Sequence, residues 1–174
     1  MKSYFLKTIL VLTFLLFAFQ LFADQSLVVN GSGIRNKYFM DVYRATLLVP
    51  SDLKGAAGNV IVDADKPMAV NISILSGLID REKFVTSISE AFDKARAAGY
   101  PVDKNLYLKL FDNINIKKGD RIENSYTPGK GLTVSLNSKV LGTIPGTAMK
   151  RAFFGLFLGS KPVEAKLKRG MLGQ

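Results

Sequence analysis

Gly31-Ser-Gly33-Ile-Arg35-Asn-Lys37-Tyr38-Phe-Met-Asp41-Val-Tyr43-Arg-Ala-Thr-Leu-Leu-Val49 is the stretch on which the fold turns. Lys37 to Val49 is rich in Val, Phe, Tyr, Leu and Thr, the composition of a strand, and Ser26 to Asn30 before it reads the same way. Arg35 stands just ahead of the longer run. A guanidinium held there can sit at the mouth of a core and grip a planar anion such as a carboxylate through two parallel hydrogen bonds. An arginine beside a strand is ordinarily a solvated surface residue, so its meaning depends on its surroundings. Gly31-Ser-Gly33 is not a dinucleotide fingerprint, because the third glycine is missing and no helix follows.

Downstream, Pro50-Ser51-Asp52 ends the second strand. Ser51 or Asp52 can cap a short helix through Ala57, against which Gly55 and Gly58 argue. Met68 to Leu75 alternates apolar with small or polar residues, as a half-buried strand does. Asp80 to Ala98 is a helix capped by Asp80, with Phe84, Ile88, Ala91, Phe92 and Ala95 on one stripe. Gly99-Tyr-Pro101 stops it. Asp103 to Ile114 predicts a second helix with Leu106, Leu110, Phe111 and Ile114 on one face. Helical stripes of this kind are core-facing.

Lys118-Gly-Asp120 is a turn, and Arg121 to Tyr126, Leu132 to Leu136 and Val140 to Ile144 form a three-stranded antiparallel meander. Its connections are Thr127-Pro-Gly-Lys-Gly131 and the two-residue turn Asn137-Ser138. Thr147 to Phe157 predicts an apolar helix capped by Thr147 and closed by Gly159. Pro162 opens a last basic helix to Met171. No repeat, low-complexity segment or linker interrupts this order. The pattern predicts one α+β domain, an antiparallel sheet covered by helices on one side.

The N-terminus has the layout of a secretory signal peptide. Lys2 and Lys7 are basic, Ile9 to Phe22 is apolar, and Leu21-Phe-Ala23 offers a cleavage site after Ala23. The apolar run is shorter than the roughly 20 residues of a spanning helix, and no basic stop-transfer cluster follows it. The expected division is therefore 1–23 signal peptide and 24–174 a single domain, exported and most simply periplasmic. The chain carries 24 Lys+Arg against 14 Asp+Glu, and loss of Lys2 and Lys7 leaves the mature part at +8. Such a surface is drawn to anionic membranes. The bases are spread, with Lys117-Lys118 and Lys166-Leu-Lys168-Arg169 the densest groups, and no Arg–aromatic run of the single-strand-binding kind is present. Export and this dispersal argue against nucleic acid.

The chain has no His and no Cys. That removes Ser-His-Asp and Cys-His nucleophile systems, thiolate zinc sites and imidazole-built haem or copper sites. It also removes disulfides and cysteine acylation. Asp63-Ala-Asp65 is the nearest oxygen-ligand pair, but it reads as a helix end and turn; neither metal nor cofactor is expected. Gly155-Leu-Phe-Leu-Gly159 has the spacing of a membrane dimer motif in too short an apolar stretch.

Three groups of residues resemble the bacterial chalcone isomerase-like family, in the same order and at similar spacing over nearly the whole mature domain. They are Asn30-Gly-Ser-Gly-Ile-Arg35-Asn-Lys-Tyr-Phe with Val42-Tyr43, Lys118-Gly-Asp120 with Tyr126-Thr-Pro-Gly129, and Phe157-Leu-Gly-Ser-Lys-Pro162 with Leu167-Lys-Arg and Leu172-Gly173. The resemblance implies an open-faced β-sandwich, a large antiparallel sheet backed by helices. It also implies a choice between isomerases and fatty-acid-binding members. Of the plant isomerase's catalytic set, only the arginine is matched in kind, by Arg35. The strand threonine falls at about Tyr43, the tyrosine and asparagine near Asp80 and Ser87, and the late-helix position near Leu156. The fatty-acid-binding members pair the arginine with a strand tyrosine, which resembles Arg35 with Tyr43.

Three functions follow as expectations. One is an exported, non-catalytic binder of a small amphipathic anion such as a fatty acid, with Arg35 and Tyr43 as ligand-binding residues and Tyr38, Phe84, Ser87, Phe153 and Leu156 as cleft candidates. Another is an isomerase or intramolecular lyase, with Arg35 stabilising an oxyanion and Tyr38, Tyr43 or Asp41 moving a proton. The third is a structural or partner-binding envelope protein whose cleft is filled by side chains such as Phe153 and Phe154. Tyr43 is equally readable as a cross-strand packing residue.

Overall fold

The computed structural model describes residues 26–37 and 39–174. The signal-peptide reading and Tyr38 lie outside the described residues. Six strands, β1 (Leu27–Lys37), β2 (Met40–Pro50), β3 (Met68–Ile74), β4 (Arg121–Thr127), β5 (Gly131–Leu136) and β6 (Lys139–Ile144), form one sheet. Each pairs antiparallel with its neighbour in sequence, in the order β1 to β6. Among the described residues five helices accompany it: α1 (Gly58–Asp63), α2 (Arg81–Ala97), α3 (Asn105–Leu108), α4 (Ala148–Leu158) and α5 (Ala165–Met171). Among the described residues no helix is long and apolar enough to cross a membrane.

Alternation along the strands decides which face the helices cover. Tyr43, Ala45, Leu47 and Val49 on β2, Met68, Val70, Ile72 and Ile74 on β3, and Ile122, Asn124 and Tyr126 on β4 all point inward and are buried. Thr46, Asn71, Ser73, Glu123 and Ser135 point to the open face and stay at least partly accessible. A sheet with one wet face is what antiparallel pairing permits. Over the inner face α4 contacts both α1 and α2, while α5 returns to β1. The centre is aromatic. Tyr107 stacks on Phe153 at 5.3 Å and meets Phe92 and Phe111, and Phe153 meets Phe154 and Phe157 edge-on. The Tyr107 hydroxyl donates to Asn124 Oδ1 at 2.8 Å, so this buried phenol and amide satisfy each other.

The first strand differs from the sequence expectation. Gly31 to Arg35 is not a break between strands but part of β1, with register shifts between Val29 and Gly31 and between Arg35 and Asn36. The glycines face inward, opposite Leu47 and Ala45, where α5 lies against the strand. A Cβ on Gly31 would stand 2.4 Å from the Gly170 carbonyl oxygen, and one on Gly33 would stand 2.7 Å from that of Leu167. Asn30 ties the same joint, its side-chain amide donating to the Met171 carbonyl at 2.8 Å and its oxygen accepting from the Gly55 N–H at 2.8 Å. The glycine pair is thus a bare strip for a helix backbone.

Other boundaries move for local reasons. Ser51–Leu53 is a single 3-10 turn, and the helix begins later as α1, ending at Asp63. Asp80 caps α2 as predicted, accepting from the Lys83 N–H at 2.9 Å, and the predicted stripe is the buried one. The second helical segment is only α3 plus a 3-10 turn at Lys109–Phe111, and its buried residues are Tyr107 and Phe111, not Leu106, which is exposed. Thr147 precedes α4 but makes no side-chain cap. The last helix starts at Ala165, three residues after Pro162. At Lys118-Gly-Asp120, buried Asp120 accepts from the Lys117 N–H and the Asn137 side chain, which locks the turn to the β5–β6 hairpin. Asn137 and Ser138 both adopt positive φ, the signature of a type I′ turn.

Candidate functional site

Arg35 follows Gly33 on the inward line of β1 and lies directly opposite Tyr43 on β2. The glycine strip ends there, and α5 gives way to a charged side chain. The guanidinium is half-buried, with its carbon 5.9 Å from the centre of the Tyr43 ring. Its Nη1 donates to Ser87 Oγ at 3.2 Å, joining the sheet edge to α2. A guanidinium has five N–H donors, so one bond to a serine leaves most of the fork available for planar recognition of a carboxylate.

Tyr43 is only 5% exposed, and its hydroxyl has no hydrogen-bond partner among the described residues. Buried hydroxyls are nearly always paired, and leaving one unpaired costs about 1–3 kcal/mol. Burial raises the pKa of this phenol above its ordinary value. Arg35 opposes that shift without making a hydrogen bond of good geometry, and Glu164 reinforces it. The phenol is therefore neutral at neutral pH, a donor and not a base. Glu164, at the start of α5, is a member of this group that sequence reasoning did not find. It lies far away in the chain, and only the return of α5 to β1 brings it there.

The other cleft candidates fall in different places. Phe84 is buried one helical turn before Ser87 and packs on Phe111 at 5.0 Å. Ile74 lies opposite Tyr43 on β3. Phe153 and Leu156 are buried on α4, Phe153 within the aromatic centre. Asp41 is exposed and accepts from the Asn36 side chain. The structure thus brings together Arg35, Tyr43 and Ser87, with Phe84 next to them.

A second polar cluster lies at the far end of the helical layer. Lys150 on α4, only 1% exposed, donates to the carbonyls of Ile61, Val62 and Ala64 at 3.2, 2.7 and 2.5 Å. It also lies over the Tyr126 and Phe154 rings at 5.5 and 5.7 Å. Burial pulls its ammonium down to about 8, against the pull of Asp63 and Asp65. Burial and the Asp65 carboxylate, to which the phenol donates, push Tyr126 up to about 12. Asp63 pairs with Arg151. The two carboxylates of the Asp63-Ala-Asp65 pair thus serve different partners, and no group of three or more His, Cys, Asp or Glu among the described residues could hold a metal ion. With its protons directed at three carbonyls, Lys150 is a clamp on the C-terminus of α1. Its one sequence signal is a Lys-Arg pair opening an otherwise apolar helix.

Comparison with known proteins gives the family and the fold. The family described as chalcone isomerase-like matches residues 18–173. No curated protein matches the sequence. Among solved structures, a fatty-acid binding protein of Arabidopsis thaliana is similar with a TM-score of 0.69 and 18% sequence identity, covering 86% of this chain and 88% of that one. The open antiparallel sheet backed by helices is common to both.

Proposed function

The chain belongs to the chalcone isomerase-like family, and from that premise we propose that it is an exported, non-catalytic binding protein for a small amphipathic carboxylate, of which a fatty acid is the simplest case. The observation that carries this reading is the Tyr43 hydroxyl, buried and unpartnered, across the β1–β2 ladder from the half-buried Arg35 guanidinium. A carboxylate placed between them takes two hydrogen bonds from the guanidinium and one from the phenol. It satisfies the one and neutralises the other. The fatty-acid-binding neighbour of the same fold supports the ligand class, and the pattern of residues 1–23 supports export. An acyl tail leaving the carboxylate has Ile74 and Phe84 for neighbours, and each methylene taken out of water contributes about 0.8 kcal/mol. Of the proton-moving candidates among the described residues, Tyr43 is neutral and deeply buried and Asp41 is held by the Asn36 side chain, which favours binding over isomerisation.

The test is extraction and mass spectrometry of Asp24–Gln174, a span that holds every described element, beside Arg35→Ala and Tyr43→Phe. Wild type is expected to carry a stoichiometric carboxylate that Arg35→Ala loses. Added oleate should raise the melting temperature of wild type, and Tyr43→Phe should need about tenfold more of it, one hydrogen bond to a charged group being worth about 1.5–3 kcal/mol. An empty wild type that gains no stability from oleate overturns the reading and turns attention to protein partners.

A further inference from the structure

The hairpin that carries Arg35 and Tyr43 ends in an apolar tip. Phe39 is fully exposed, and its backbone is left-handed at φ 64°, a conformation bulky residues rarely adopt. Met40 beside it is exposed as well. The β3–α2 loop runs next to this end of β2, since the Leu75 and Ser76 amides both donate to the Val42 carbonyl, and it presents exposed Leu78. Behind the tip a groove of about 510 Å³ follows the free edge of β1. Arg44, Lys166 and Arg169 line it, with Asp41 as the only acidic side chain among its described residues. All three bases are exposed, and among the described residues none makes a side-chain ion pair with a carboxylate.

An apolar wedge with a basic collar is the anatomy of an interfacial membrane contact. The wedge enters the headgroup–acyl boundary, and the collar meets anionic headgroups. The net positive charge of the chain favours the same surface. We propose that the β1–β2 hairpin docks the protein on an anionic lipid bilayer, with Phe39 and Met40 inserted and Arg44, Lys166 and Arg169 at the phosphates. Arg35 lies four residues from Phe39 on the same hairpin, so docking places the carboxylate site at the lipid surface, where an amphipathic acid is collected or released. That last step rests on the ligand reading above; the docking does not.

The test is flotation of Asp24–Gln174 with vesicles of phosphatidylcholine alone or mixed with phosphatidylglycerol, at low and at physiological salt. Wild type is expected to float with the anionic vesicles and to be weakened by salt. Phe39→Glu, which removes no core contact, should lower partitioning about tenfold with an unchanged melting temperature. The Lys166→Glu, Arg169→Glu pair should do the same. Oleate titration without vesicles separates the two proposals: Phe39→Glu keeps wild-type affinity, while Arg35→Ala loses oleate and still floats. Wild type that remains soluble at low salt overturns the docking proposal. So does Phe39→Glu floating like wild type, or a dimer that Phe39→Glu dissolves, since that makes the tip a protein interface.

Discussion

Two residues stand out because each is buried against its chemistry, and they answer differently. Tyr43 leaves a hydroxyl unpaired beside a cation, which is why it points to a ligand. Lys150 spends its protons on the carbonyls that end α1, which is why it points to the fold. The lysine makes a pH prediction. Its folded ammonium titrates near 8, whereas an unhindered lysine titrates at 10.5. Below 8 both states hold the proton, and the full cost of burying the charge is present. Between the two values the unfolded chain binds more protons, so stability rises with pH. Compared with Lys150→Met, wild type should gain up to about 3 kcal/mol across that window in urea melts. Parallel curves for the two proteins would mean that the carbonyls keep Lys150 charged throughout.

At the level of elements, the glycine strip of β1 determines where α5 can lie. Gly33→Ala puts a methyl 2.7 Å from the Leu167 carbonyl oxygen and 2.9 Å from its Cδ1, both within one helical turn. The backbone of α5 must shift, because no side chain can move aside in its place. Overpacking of this kind costs about 1–3 kcal/mol. Gly77→Ala, at an exposed glycine with nothing within 4 Å, should stay within about 0.5 kcal/mol. Equal urea midpoints for the two variants would remove α5 from the account of β1. The same strip shows what the sequence could tell. The one-sided alternation of Met68–Ile74 and the Phe84 stripe of α2 are local periodicities, and they were readable. A strand running through Gly-Ser-Gly was not, because its reason is a helix backbone more than a hundred residues away. The exposed Leu106 and buried Tyr107 were misassigned for a related cause. A four-residue helix and a 3-10 turn do not keep the period that a longer helix would. At the candidate site, Arg35 and Tyr43 were legible through the family resemblance, whereas Glu164 depends on the same distant return of α5.

For the whole molecule, the meander places every strand beside its neighbour in sequence, so the sheet alone does not bring the two ends of the domain together. The closing contact is α5 on β1, with Leu167, Met171 and Leu172 buried there. It also covers part of an edge strand, and uncovered edges pair with other chains. Removing residues 160–174 deletes three buried side chains, each contributing about 1.5–3 kcal/mol, from a domain whose net stability is typically about 5–15 kcal/mol. It also strips the glycine face of β1 of its cover. The shortened protein should melt at a lower temperature and sediment as concentration-dependent oligomers, whereas Asp24–Gln174 should sediment as a monomer at the same concentrations in the absence of lipid. A truncated chain that stays monomeric with an unchanged melting temperature would make α5 an appendage. Oligomers without a lower melting temperature would assign α5 to edge protection alone. Loss of both together is expected, because one short helix seals the apolar core and the open edge through the same contacts at Asn30, Gly31 and Gly33.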